Sequence, residues 1–284
     1  MSHKLWLMAA VVVAPLLLAQ PPAKKGGPPM LATQLVKPGF YMITGAGANT
    51  EVRVTNEGLI VVDGKLPGDE NYNALMEQIK MISTQPIKYL IVTHHHADHT
   101  GNNNKFLAAG VQIVAQENLN KNLATYAGTP KPADATITYN NDYTVKLGGV
   151  EAKLYHFGRA HTSGDTVVYF PDLKVVCVSD VVTTGTTGPL ADYAGGGSFA
   201  EWPKVLDGIL KLDFDTAIAG NGNPLTKADI QEYKTKIDTF LMRAKEAVRQ
   251  GVPKDQLMAQ IKTDDLGWKP RAPNVDPFYD ELTK

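Results

Sequence analysis

Disulfide bonding within the chain is excluded at the outset, because the 284 residues contain one cysteine, Cys177. It lies in Val175-Val176-Cys177-Val178, an apolar run in which cysteine behaves as a small buried hydrophobe. Charge of one sign is also missing: 28 basic residues face 29 acidic ones, and long basic tracts are absent. That balance argues against nucleic acid or an anionic membrane surface as a partner, and leaves a small-molecule substrate. The apolar run Leu5–Leu18, about 14 residues, is short of the roughly 20 that a spanning helix needs. Behind Lys4 and before Ala19-Gln20 it has the form of a signal-peptide core. We therefore expect residues 1–19 to direct export to the periplasm or the exterior, with a retained anchor as the alternative and no stable span after cleavage. Residues 20–31, rich in proline, glycine and lysine, are expected to form a disordered leader.

What is present is ordinary for a globular core: 43% of residues are apolar and 20% charged. Short β-prone runs at 40–44, 50–55 and 59–62 are separated by Gly-Ala-Gly-Ala-Asn and Asn-Glu-Gly turns. Because no helical pattern follows Gly45-Ala46-Gly47, that stretch reads as a hairpin turn rather than a phosphate loop. Asp69 is expected to cap a helix carrying Tyr72, Leu75, Met76 and Ile79, before a strand at 89–93. Helix, strand and helix are expected at 102–109, 111–115 and 117–126. A second group of strands follows at 137–139, 143–147, 150–157, 166–170 and 174–178. Ser198-Phe199-Ala200-Glu201 matches a capping box for a helix with Val205, Leu206, Ile209 and Leu210. A strand at 215–219 follows. Thr226 to Asp229 resembles another cap, ahead of a long amphipathic stripe from Ile230 to Val248. Residues 253–261 are expected to add a last helix before an irregular tail. Two strand groups with interspersed helices predict one α/β domain over 32–284, two sheets packed face to face with helices outside.

The chemistry concentrates in His94-His95-His96-Ala97-Asp98-His99, which holds four of the seven histidines. Following a strand, alternate side chains His94 and His96 can aim at one point, and Asp98 with His99 at another close by. Imidazole and carboxylate are ligand types that suit zinc or iron. A solvated histidine tract explains neither the preceding strand nor the aspartate.

These six residues satisfy H-x-H-x-D-H, and here the chain resembles the metallo-β-lactamase superfamily. Asp63-Gly64 is similar to that family's early strand-end aspartate, and His161, in Arg159-Ala160-His161-Thr162-Ser163-Gly164-Asp165, to its next ligand histidine. Asp180 falls where the family places a metal-bridging aspartate. The resemblance spans roughly residues 40–224. It implies a four-layer αββα sandwich of two mixed sheets and two metal sites: His94, His96 and His161 at the first, Asp98, His99 and Asp180 at the second. Cys177, three residues from Asp180 along a strand, faces the other side of the sheet and does not replace it.

One departure matters. Where the family carries a final histidine in a P-G-H-G loop, this chain has Ala219-Gly220-Asn221-Gly222-Asn223-Pro224, and no histidine follows His161. An amide oxygen binds zinc less well than imidazole, so the second site should be weakened. His156 is read as a core or surface histidine. The resemblance implies a zinc-dependent hydrolase of amides or esters, β-lactams included, with Asp98 orienting or deprotonating water. Asn221, where it is not itself a ligand, is expected to donate a hydrogen bond to the developing oxyanion. Two alternatives stand beside it: a mononuclear-iron oxidoreductase of the sulfur dioxygenase type, built from His94, His161 and Asp180, or a metal-binding protein without turnover. The glycine-rich stretch 183–197 is expected to border the pocket, with Tyr193 as a candidate substrate contact, or else to be a solvent loop.

Overall fold

Strands that read as unbroken apolar runs need cover on both faces. The structure, a computed structural model describing residues 30–269 and 275–283, provides it with two sheets that share one apolar layer and carry helices outside. The expected signal peptide and residues 20–29 of the expected leader lie outside the described residues. No helix among those described is long and apolar enough to cross a membrane.

The first sheet runs in the order β1 (Ala32–Lys37), β2 (Phe40–Thr44), β3 (Thr50–Val54), β4 (Leu59–Val62), β5 (Ile87–Ile91), β6 (Gln112–Gln116) and β7 (Ile137–Tyr139). Its first four strands pair antiparallel and its last four parallel. The second runs β8 (Asp142–Leu147), β9 (Val150–Tyr155), β10 (Val167–Phe170), β11 (Val175–Ser179), β12 (Thr216–Ala219) and β13 (Leu225–Thr226), with β11 and β12 its parallel pair. The helices are α1 (Asp69–Ile82), α2 (Ala97–Thr100), α3 (Asn103–Ala108), α4 (Asn118–Leu123), α5 (Trp202–Leu210), α6 (Lys227–Arg249), α7 (Leu257–Gln260) and α8 (Val275–Leu282).

Period-two alternation assigns the layers. Phe40, Met42, Ile60 and Val62 meet Phe170, Val175 and Cys177 between the sheets. Leu59 and Val61 point the other way, against Leu75 and Ile79 of α1, Phe106 of α3 and Leu119 of α4. Val176 and Val178 point outward from the second sheet onto α5, α6 and α8. This is the expected αββα arrangement.

Local readings need three corrections. Gly68, not Asp69, is the cap of α1, so Asp69 sits in the first turn, where its charge suits the helix dipole. The Ser198 box is half formed: Glu201 N–H donates to Ser198 Oγ, but the Glu201 carboxylate turns to Arg159 and the helix begins at Trp202. The box at Thr226 and Asp229 is complete. The tail expected to be irregular contains α8, anchored by the fully buried Phe278.

Candidate metal centre

The histidine run leaves β5 at its carboxyl end, where ligands gather in open α/β sheets. Asp63 closes β4 beside it, and Ser179 closes β11 opposite. Both hold left-handed backbones, φ 61° and 47°, a conformation that costs a non-glycine residue energy and recurs at functional sites. Thr93 joins them. Its N–H and hydroxyl donate to the two Asp63 oxygens at 2.8 Å each, so the Ser179 hydroxyl, 2.8 Å away, must donate to Thr93 Oγ1.

Around this hub the imidazoles converge. His96 Nδ1 lies 3.1 Å from His94 Nε2 and 3.0 Å from His161 Nε2. The outer nitrogens are held from behind: His161 Nδ1 by the Leu190 carbonyl at 2.6 Å, His96 Nε2 by Asp192 at 2.9 Å, and His99 Nδ1 by Asp63 at 2.7 Å. His99 Nε2 thereby faces the acidic side of the cluster, 3.6 Å from Asp98 and 3.8 Å from Asp180. Asp180 also reaches to 3.6 Å from His161 Nε2, placing its carboxylate between the two halves.

Three groupings of possible ligands result among the described residues: His94 with His96 and His161, His94 with His99 and Asp180, and, on the outer side, His95 with His96 and Asp192. The six metal-ligand candidates of the sequence thus meet within one cluster, with His94 shared by the first two groupings and Asp98 at its edge. Asn221 is exposed and lines the same cavity, of about 500 Å³, with His96, Asp98, His161, Asp180, Leu190 and the threonines at 183, 184 and 187. His156 stands apart, its Nδ1 on the Asp165 carbonyl. Cys177 is buried in the layer between the sheets. Tyr193 does not line the cavity: its hydroxyl donates to Glu281 at 2.8 Å.

Electrostatics and hydrogen bonding both suit a cation. Burial pushes His94 well below its usual range and His161 down to about 4, so both present neutral nitrogens. At His99 burial also pushes downward, but the Asp63 carboxylate, helped by Asp180 and Asp98, lifts it to about 10. His99 Nε2 is fully buried without a hydrogen-bond partner among the described residues, an orphan that a metal bond would satisfy. Tetrahedral zinc ligands lie about 3.4 Å apart, close to the spacings of the three histidines. The residues present therefore fit a divalent ion.

Three supports carried no sequence signal of their own. Asp192 comes from the glycine-rich stretch, and Leu190 acts through its backbone. Asn49, 4% exposed in the β2–β3 turn, donates its backbone N–H to Gly220 O and its amide to Ala219 O and Gly222 O, tying down the loop that carries Asn221. A Cβ at Gly220 would overlap the Asp180 carboxylate, so a side chain there would displace Asp180.

A family model described as Lactamase_B, metallo-beta-lactamase superfamily, matches residues 45–236. The chain is 27% identical over 238 residues to 2,4-dinitroanisole O-demethylase subunit alpha of Nocardioides sp. (strain JS1661), covering 82% of this chain and 70% of that protein. It is 25% identical over 200 residues to metallo-beta-lactamase type 2 of Elizabethkingia meningoseptica, covering 70% and 78%. Among solved structures, a metallo-beta-lactamase from Pontibacter korlensis superposes with a TM-score of 0.63 at 19% identity, covering 74% of this chain and 99% of that one.

Proposed function

Because the chain belongs to the metallo-beta-lactamase superfamily, we propose that it is a zinc-dependent hydrolase acting on an amide or ester carbonyl, β-lactams included. The observation that carries this reading is the convergence of three imidazole nitrogens beside an orphaned His99 Nε2. His94, His96 and His161 would hold the first ion, and His99, Asp180 and Asp98 a second and weaker one, since Asn221 replaces an imidazole. When bound, such an ion supplies Lewis acidity and lowers the pKa of water from 15.7 to about 7.

The protein's own groups do the rest. Asp98, with its side chain 31% exposed, orients the attacking water and accepts its proton. Asn221, on the cavity wall, donates its amide to the oxygen that gains charge. Val182 and Leu190 offer apolar contact to the acyl portion. Export, supported by the run Leu5–Leu18, would place the enzyme with extracytoplasmic substrates. The demethylase relative favours a second reading, cleavage of an activated aryl methyl ether at the same centre.

The test is metal content of protein from its native host, by mass spectrometry, run beside turnover of nitrocefin, lactone, thioester and nitroanisole panels. Zinc with carbonyl hydrolysis supports the proposal. Iron would overturn it in favour of the oxidoreductase, ether cleavage alone would select the second reading, and full metal loading without turnover would leave a binding protein.

A further inference from the structure

The loop between β11 and α5 supports the centre from outside. Its Leu190 carbonyl takes His161 Nδ1 and its Asp192 carboxylate takes His96 Nε2. Part of it is fixed to the backbone at Ala160 and His161, through Asp192 N–H to His161 O at 2.8 Å and Ser198 N–H to Ala160 O at 2.9 Å. The residues next to these two anchors are fixed by the C-terminal helix α8. There one Glu281 oxygen accepts from Tyr193 Oη at 2.8 Å, Phe199 N at 3.1 Å and Ala200 N at 3.3 Å.

We propose that Glu281, acting through Tyr193, is a positioning residue that holds Asp192 and Leu190 against the metal-binding imidazoles. The inference rests on the metal reading above. Tyr193 directly follows Asp192, so a shift of its ring moves the carboxylate that fixes the His96 ring. The helix presenting Glu281 is itself held firmly: Phe278 is fully buried, stacks on Phe240 at 5.6 Å and meets Phe199 at 5.0 Å. The carboxylate replaces water for two backbone donors and one phenol, which a methyl group cannot do. Loss of an outer partner of a ligating histidine typically weakens metal binding about 10–100-fold. Acting one residue further out, Glu281 should sit at the lower end of that range.

The test titrates the metal-free full chain with Zn²⁺ against a competing chelator, far below its unfolding temperature, and records the visible spectrum of the Co²⁺ form. Glu281→Ala should weaken the tighter equivalent about tenfold and alter the Co²⁺ bands. Glu281→Gln keeps an acceptor oxygen and should restore both. Leu257→Ala, a truncation in the same outer core, should lower the melting temperature and leave affinity and spectrum alone. Wild-type affinity and bands in Glu281→Ala would overturn the inference while sparing the metal reading. A wild-type chain that binds no metal would overturn both.

Discussion

Replacing Asn49 by alanine should cut the tie between the two halves of the site. The side-chain amide donates to Ala219 O and Gly222 O at 3.0 Å each, while the backbone N–H to Gly220 O, at 2.7 Å, survives the change. Two hydrogen bonds worth about 1 kcal/mol each disappear. The Ala219 carbonyl, in a residue 1% exposed, is left without that partner, at a further cost of roughly 1–2 kcal/mol, whereas Gly222 is exposed and can turn to water. The sum is about 3–4 kcal/mol, or roughly 6–16 °C in melting temperature for a chain of this size. Urea unfolding of metal-free wild type and Asn49→Ala reads the difference directly, through a lower midpoint at unchanged slope. Asn49→Asp should be at least as damaging, since a carboxylate would face two carbonyl oxygens. Hydrogen exchange should localise the loosening to residues 219–223. A loss below about 0.5 kcal/mol, or an aspartate variant as stable as wild type, would refute the reasoning.

Three further outcomes follow from the same geometry. Asn221→His should raise the metal count at low free zinc and strengthen the second equivalent; an unchanged count by mass spectrometry would remove Asn221 from the account. Gly220→Ala places a methyl group on the Asp180 carboxylate, so the second equivalent should be lost while the fold, followed by far-ultraviolet circular dichroism, persists. Lys65 is fully buried, with Nζ donating to Ile43 O and Ala48 O at 2.6 Å, and burial pushes its pKa down to about 8. A lysine with a depressed folded pKa contributes stability above its unfolded value, 10.5, which is lost as pH falls through about 8. Lys65→Met should therefore gain on wild type by up to about 3 kcal/mol as pH drops from 11 to 7, against a constant loss from the two abandoned carbonyls. The comparison belongs in a Glu51→Gln background, because burial lifts the neighbouring Glu51 to about 8 and the two titrations overlap. Parallel pH curves would show that Lys65 does not titrate in that window.

Sequence carried the first half of the site further than the second. Six contiguous residues bring His94, His96, Asp98 and His99 to one strand end, so spacing alone places them. Asp180 and His161 were legible only through resemblance, since nothing local says that β11 ends opposite β5. The supports were harder still. Leu190 works through its carbonyl, which any residue carries, and Asn49 holds a loop 170 residues away. Edge strand β1 was missed because residues 32–37 show no clean alternation, being half exposed on both faces. Helix α8 was missed because Val275–Leu282 is short and offers only one fully buried side chain, Phe278, to mark its inner face.

The two halves meet at Thr93, which explains why the strained strand ends lie where they do. An extended Asp63 would carry its carboxylate past the end of β4, away from Thr93 and His99; the left-handed turn at φ 61° brings both oxygens back. Ser179, at φ 47°, makes the matching turn in the second sheet, and its hydroxyl completes the contact across the interface at 2.8 Å. Each turn costs about 1–3 kcal/mol, comparable to the charge-assisted hydrogen bonds it makes possible. In metal-free protein that balance leaves His99 Nε2 buried and unpaired, so the strain is only partly offset. A bound metal would supply the missing partner, and the strained ends of both sheets would then serve one bonded centre. On this argument a bound ion would also link the two sheets, and metal removal should lower stability in Thr93→Val less than in wild type, because the variant has already lost the hub that transmits the bond from one sheet to the other.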